Sequence, residues 1–179
     1  MPKMVKEKTV INKKKYVFLP YSEKYPLMFL KEKSKIEQAI GKNIRIEHVG
    51  STSIPGLGGK GIIDIAIKTP KKEFSQFIKK LGKIGYKYNP THPGDNRRLF
   101  LEKIISSSGK EKRTHVHLCL SPKYFNSFIL FREHLRNNEK ERDKYAKIKK
   151  EAVKYAKGEG KEYRKYKDGF LEKAMEKLR

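Results

Sequence analysis

Apolar residues recur along this chain with two different periods, and the switches between them divide it into blocks. Tyr25, Met28, Phe29, Ile36 and Ile40 fall at helical spacing, so one helix is expected up to about Ile40. Ser22 stands where a cap is needed and Gly41 where a stop is needed; Pro26 weakens the first turn without forbidding it. Alternation with period two follows. The segments 44–49 (IRIEHV) and 62–68 (IIDIAIK) read as strands on either side of the loop GSTSIPGLGGKG. Thr69-Pro70 opens a second helix, with Thr as cap and Pro in the first position, ending near Gly85. Strands come next at about 86–89, 97–105 and 113–120, the last two separated by the turn SSSGK. From Ser121-Pro122 onward the pattern is helical, broken near Asn137-Asn138 and at GEG (158–160). Before all of this, 8–18 (TVINKKKYVFL) reads as a strand or hairpin arm.

Strands in the middle and helices at the ends predict an α+β fold: a mixed β-sheet with helices on one face and a helical C-terminal extension over about 121–179. The chain's 179 residues suit one domain with that extension. The strands 44–49, 62–68 and 113–120 are expected in one sheet, with the loop 50–61 at its rim.

The net charge of +24 changes this picture only in part. Clustered cations gain affinity for nucleic acid by displacing counterions, but here the excess is mostly lysine and spread along the chain. Two readings stay open: a compositional bias towards Lys and Glu, or an anionic partner such as RNA, for which the tyrosines interleaved with lysines in 145–167 would supply stacking. There is no run of about 18 apolar residues, and the charged N-terminus has no apolar stretch behind it, so a cytoplasmic protein without a membrane partner is expected. Cys119, the single cysteine, reads as a small core residue.

Candidate chemistry concentrates in 47–67, EHVGSTSIPGLGGKGIIDIAI. A strand runs into Gly50-Ser51, where glycine lets backbone amides approach a phosphate and the hydroxyl adds a donor. Alternation puts Ile62, Asp64, Ala66 and Lys68 on one face and Ile63, Ile65 and Ile67 on the other, so Asp64 is aimed away from the apolar layer. His115, His117 and Cys119 share a face of strand 113–120, and imidazoles suit zinc, manganese or iron better than magnesium. Asp64, His48, His115 and His117 admit three readings: metal ligands, direct contacts to a nucleotide or small substrate, or satisfied structural groups. Lys60, Arg98, Arg132 and Arg136 are candidate phosphate ligands against a background of solvated charge. A solvated charge is preferred for Arg136, and an ion pair is the alternative for Arg132 with Glu133.

Val49-Gly50-Ser51 and, after a gap of about a dozen residues, Asp64 between isoleucines resemble the signature of the nucleotidyltransferase superfamily, with Ala66 in place of its second carboxylate. The fuller string His48-Val49-Gly50-Ser51-Thr52, Pro55-Gly56-Leu57, Lys60 and Ile62-Ile63-Asp64 is similar to the GrpB family of that superfamily. Pro20-Tyr21, Arg98 with Phe100, His115-Val116-His117, the segment from Phe131 to Arg136, Tyr145 with Lys149, and Tyr163 with Lys167 and Phe170 extend the resemblance over about 15–175. Gly61 and Glu133 depart from it.

The resemblance implies a nucleotidyltransferase-like fold that binds a nucleotide, a nucleotide-containing cofactor or a small phosphorylated substrate. Gly50, Ser51, Thr52, Lys60, Arg98 and Arg132 would be on the phosphates, Asp64 and His117 in the catalytic positions, and a divalent ion (Mn, Zn or Mg) on Asp64, His48, His115 and His117. With one clear carboxylate, conventional two-magnesium transfer is not expected. A single metal or none would serve, with His115 or His117 as base or ligand, unless Glu47 or Glu102 completes the set. The oligomeric state is left open.

Overall fold

The computed structural model describes residues 17–90, 97–107, 110–157 and 160–178. Helix α1 (Tyr25–Ile40) is followed by strands β1 (Ile46–Val49) and β2 (Ile63–Lys68), helix α2 (Phe74–Lys83), and strands β3 (Lys87–Tyr88), β4 (Arg98–Ser107) and β5 (Lys110–Cys119). Three helices complete the chain: α3 (Pro122–Asn137), α4 (Glu139–Tyr155) and α5 (Gly160–Lys177). The strand read at 8–18 lies almost wholly outside the described residues; beside it, Leu19 forms an isolated antiparallel bridge to Gly59.

Two expected caps differ. Lys24, not Ser22, precedes α1, and the Ser22 hydroxyl accepts from the Lys24 amide just outside the helix. Thr69 donates its hydroxyl to the Ile67 carbonyl, so it closes β2; Pro70, in extended conformation, leads through one 3-10 turn (Lys71–Glu73) into α2. The later caps match the sequence: the Ser121 and Asn138 side chains accept from the amides of Tyr124 and Glu141, three residues into α3 and α4.

The sheet has the order β1-β2-β5-β4-β3, with β2 and β5 parallel and the other pairs antiparallel. The three strands expected to share a sheet therefore lie side by side. Register divides their residues between two faces. Ile63, Ile65, Ile67, Val116, Leu118 and Leu101 pack under α1 and α2 with Ile36, Phe77 and Leu81, all almost completely buried. Burying each such side chain contributes about 1.5–3 kcal/mol, which is what fixes this face inward. A charged group also crosses this layer: Glu32 on α1 accepts from Lys103 of β4 at 2.8 Å and from the Tyr86 hydroxyl at 3.0 Å.

The opposite face carries Asp64 and is shaped by the C-terminal helices. Phe125 of α3 covers Val49, Ala66 and Cys119 at one end, and the loop residues Ile54 and Leu57 insert between Leu135, Tyr145 and Phe170 of α3, α4 and α5. The helical extension thus docks on the face that α1 and α2 leave open. No helix among the described residues is long and apolar enough to cross a membrane.

Candidate functional site

Strand register writes the site in rows. Val49, Asp64, His115 and Glu102 are cross-strand partners in one row; Glu47, Ala66, His117 and Phe100 form the next; Lys68, Cys119 and Arg98 form a third. Partners in register project to the same face, so one imidazole sits between two carboxylates.

The hydrogen bonds assign the protons. His115 Nδ1 is 3.2 Å from Asp64 Oδ1 and its Nε2 is 3.2 Å from Glu102 Oε1. Both partners only accept when ionised, so both ring nitrogens donate and the ring is an imidazolium. Burial opposes that charge, but the bonds to Asp64 and Glu102 outweigh it and raise the pKa. His117 differs. Arg98 always donates, so His117 Nδ1 accepts from it, and the proton lies on Nε2, 3.4 Å from Asp64 Oδ1. Burial lowers the His117 pKa, with Arg98 and His115 acting in the same direction against Asp64, so this ring is neutral. Asp64 is itself buried, which favours the acid, yet the two histidines hold its carboxyl far below the ordinary range.

The loop is built around that carboxylate. Gly50 has φ +71°, and a Cβ there would stand 2.5 Å from Asp64 Oδ2, so a side chain is excluded on both counts. A Cβ on Gly59 would stand 2.5 Å from Ser51 Oγ, so the two arms of the loop touch. The outer arm is tied by paired Leu19–Gly59 backbone bonds of 2.7 and 2.9 Å, and on the inner side Lys149 of α4 donates to the Gly58 carbonyl.

These parts enclose a cavity of about 540 Å³. Of the residues singled out in the sequence, Gly50, Ser51, Lys60, Asp64, Arg98, His115 and His117 line it. His48, Thr52 and Arg132 do not. His48 is in register with Ile65 on the opposite face and stacks on Phe29 of α1, with ring centroids 4.7 Å apart. The Thr52 hydroxyl donates to the Ile62 carbonyl at 2.9 Å and accepts from His48 Nε2 at 3.0 Å. Burial then pushes the His48 pKa down to about 4. His48 therefore cannot join Asp64, His115 and His117 around one ion, and Thr52 does not reach a phosphate in the cavity. Arg132 bonds Glu133, Glu47 and the His48 carbonyl, bracing β1 against α3, and Arg136 bonds the Ser53 carbonyl.

The donor set also bears on a divalent metal. Asp64, His115, Glu102 and His117 spend their polar atoms on one another and on two arginines, Arg98 at His117 and Arg113 at Glu102. Among the described residues no group of three or more His, Cys, Asp and Glu side chains could hold an ion. Ala66, where a second carboxylate would come, is fully buried in the apolar cluster under Phe125. The residues present do not fit a two-metal centre.

Three cavity cations come from α4 and α5, where the sequence reading placed no phosphate ligand: Lys149 from α4, and Arg164 and Lys167 from α5. The signal for the two lysines was the spacing of Tyr145 with Lys149 and Tyr163 with Lys167, each four apart on a helix; none marked Arg164. Tyr145 and Tyr163 turn inward and line the cavity as well, so those two tyrosines are not surface stacking groups.

The fold recurs in solved proteins. Conserved protein GrpB from Enterococcus faecalis superposes with a TM-score of 0.68 at 24% identity, over 89% of this chain and 99% of that one. The Cid1 poly(U) polymerase with MgGTP bound superposes with a TM-score of 0.51 at 12% identity, over 75% of this chain and 44% of the polymerase. In sequence, UPF0157 protein YqkA of Bacillus subtilis is 33% identical over 172 residues, 92% of this chain but 47% of YqkA. Glutamate-rich protein GrpB of Alkalihalophilus pseudofirmus is 26% identical over 175 residues, 94% of this chain and 98% of that protein. The chain thus spans from about half to nearly all of these relatives. The family model described as GrpB protein matches residues 16–177, which takes in β1, the Gly50-Ser51 loop, Asp64, the histidine strand and all three closing helices, and the chain belongs to the GrpB family.

Proposed function

We propose that the cavity binds a nucleotide or a nucleotide-containing phosphorylated ligand, and that the chain does not run conventional two-magnesium nucleotidyl transfer. The observation that carries the first part is the meeting of three things in one cavity of about 540 Å³: a close-packed Gly-Ser loop, several lysine and arginine side chains, and aromatic rings such as Tyr124, Phe128 and Tyr163. That volume is in the range of small-molecule sites. Cations meet phosphates and rings take a base by stacking. A polymerase of the same fold has been solved with MgGTP, which supports a nucleotide as the class to try first.

The second part rests on protonation. A general base needs a free lone pair, whereas His115 donates from both nitrogens and His117 accepts from Arg98. Asp64 and Glu102 spend their charge on an imidazolium. The arrangement supports a binding site more than a transferase centre.

Equilibrium binding of labelled ATP, UTP and a CoA precursor to the wild type and to Ser51→Ala tests the first part. Micromolar binding of one of them, weakened in the variant, is expected; no binding at millimolar ligand overturns it. Incubation with labelled NTPs, Mg²⁺, Mn²⁺ or Zn²⁺ and a cell extract tests the second. Robust Mg²⁺-dependent transfer lost in Asp64→Ala but retained in His117→Ala would mean that Glu102 completes a metal site after all.

A second reading, RNA binding without chemistry, is favoured by one feature. Tyr155 of α4 and Tyr166 of α5 stack at 5.5 Å and both are exposed, with Lys154 over the Tyr155 ring. Binding with a steep salt dependence, abolished by Tyr155→Ala and indifferent to Asp64→Ala, distinguishes it from the nucleotide reading.

A further inference from the structure

The lysines of the cavity invite a sharper statement about its ligand. Lys149 is almost completely buried on α4. Its ammonium has three N–H donors, gives one to the Gly58 carbonyl, and makes no ion pair among the described residues. A buried ammonium without a directly paired carboxylate is costly, and a fold that keeps one gains when an anion arrives. Lys149 does not stand alone. Lys60, from the loop, lies 4.8 Å from the Tyr163 ring centre, and Lys167 lies 5.8 Å from the same ring, so one aromatic ring gathers two further ammonium groups. Among the described residues of the lining, Arg98 and Arg164 bring the basic side chains to five against the carboxylates of Asp64 and Asp168, an excess of three positive charges once Lys149 is protonated and before His115 is counted.

We infer that Lys60, Lys149 and Lys167 form a clamp for a polyphosphate, taking the linked phosphates of a nucleoside di- or triphosphate without a divalent metal. The inference rests on the nucleotide reading of this cavity and goes beyond it by naming the chain length of the phosphate and what neutralises it. Such a ligand carries about three to four negative charges near neutral pH, which matches the cationic excess, whereas a monophosphate carries about two at most. In a two-metal site divalent ions offset that charge; here the sheet does not fit them, and ammonium groups from the loop, α4 and α5 surround the same space. Lys149 lies against the loop at Gly58 and Gly59, and Lys60 and Lys167 line the same cavity beside the Tyr163 ring.

A protonation signature accompanies the clamp. Burial, reinforced by Lys167 and Lys60 and opposed by Asp64, pushes the Lys149 pKa down to about 7. At pH 8 Lys149 is therefore mostly neutral, and an arriving polyanion draws a proton onto it.

Calorimetric titration in EDTA at pH 8, in buffers of different ionisation enthalpy, tests this with two probes, inorganic tripolyphosphate and the best-bound nucleoside triphosphate. The expected result is that both bind without metal and compete, with uptake of about one proton per ligand. Lys60→Gln and Lys167→Gln each weaken binding about tenfold, and Lys149→Met abolishes the proton uptake. Lys79→Gln, an exposed lysine of α2 on the other face, controls for net charge and leaves affinity unchanged. Should Lys149→Met not fold, the Lys60 and Lys167 variants decide. Binding that needs Mg²⁺, or Lys60 and Lys167 variants that bind like Lys79→Gln, overturns the clamp while the nucleotide reading stands. Tripolyphosphate binding alone, with no nucleotide bound, keeps the clamp and overturns the nucleotide reading; binding of neither overturns both.

Discussion

At the scale of single residues, the tightest constraint is the approach of Gly50 to Asp64. An added methyl must either displace the carboxylate, which is also fixed by two histidines, or twist the loop out of its positive φ. Gly50→Ala is expected to destabilise the fold by about 1–3 kcal/mol, read from the denaturant midpoint, and to weaken ligand binding further than that loss of stability explains. His48 makes a different kind of prediction. Its folded pKa of about 4 lies below the unfolded value of about 6.5, so as pH falls the unfolded chain takes the proton first. The stability it contributes is complete above about pH 6.5 and is lost as pH falls towards 4, by an amount on the order of 3 kcal/mol. His115, with its pKa raised, has the opposite sign: its contribution is complete below its unfolded pKa and fades as pH rises through the folded one. His48→Gln keeps an N–H for Thr52 but cannot titrate. The drop in stability from pH 7 to pH 4.5 should be clearly smaller in that variant; an equal drop would show that another group is responsible.

At the scale of elements, the sheet was legible and the caps less so. Strict alternation in 62–68 and 113–120 fixes which side chains face the core, because a slip by one residue would expose every isoleucine of β2. Spacing therefore put His115 and His117 on one face of their strand and Asp64 on the polar face of its own, while the register of β2 with β5 is what brings the two together. His48 could not be separated from Glu47 in the same way, since Ile46 and Val49 offer too short a pattern to show which neighbour turns inward. Ser22 and Thr69 misled because a hydroxyl near a helix start has competing backbone partners, and Thr69 took the end of β2. Glu32 escaped notice since an acidic residue on α1 reads as solvated; its partner Lys103 lies 71 residues away. That pair joins α1 to β4, and Glu32→Ala is expected to cost about 3–5 kcal/mol by leaving Lys103 buried and unpaired. Adding Lys103→Met should recover most of the loss, and a double-mutant cycle by thermal unfolding measures the coupling.

At the scale of the molecule, the charge of +24 divides into two populations. Lys60, Lys149 and Lys167 converge on the cavity, while many others, such as Lys72, Lys79 and Lys173, are exposed. A tyrosine four residues earlier marks Lys149 and Lys167, but in so lysine-rich a tail that spacing does not show whether the pair faces a cavity or braces the helices, which is why the cavity cations of α4 and α5 were not assigned beforehand. The exposed population predicts weak, sequence-indifferent binding to an RNA oligomer, with a dissociation constant of about 10⁻⁴ to 10⁻⁶ M near 150 mM salt and a steep decline above it. Nanomolar, sequence-selective binding in a filter or polarisation assay would contradict this.

The bond from Lys149 to Gly58 spans 91 residues of sequence. Closing so long a segment costs entropy, so although the turn has hydrogen bonds of its own, such as Ser53 to Gly50 and Leu57 to Ile54, the bond that pins Gly58 forms only once α4 has docked. During synthesis the chain passes through a stage in which β1 and β2 have emerged with Asp64 but without the helix that pins the turn. A polypeptide at that stage has its carboxylate and its glycines but lacks the cavity walls that Tyr145, Lys149, Tyr163 and Lys167 supply. Ligand present in the cell would then act as a late folding template, drawing α4 and α5 onto the sheet and favouring finished molecules over partly assembled ones.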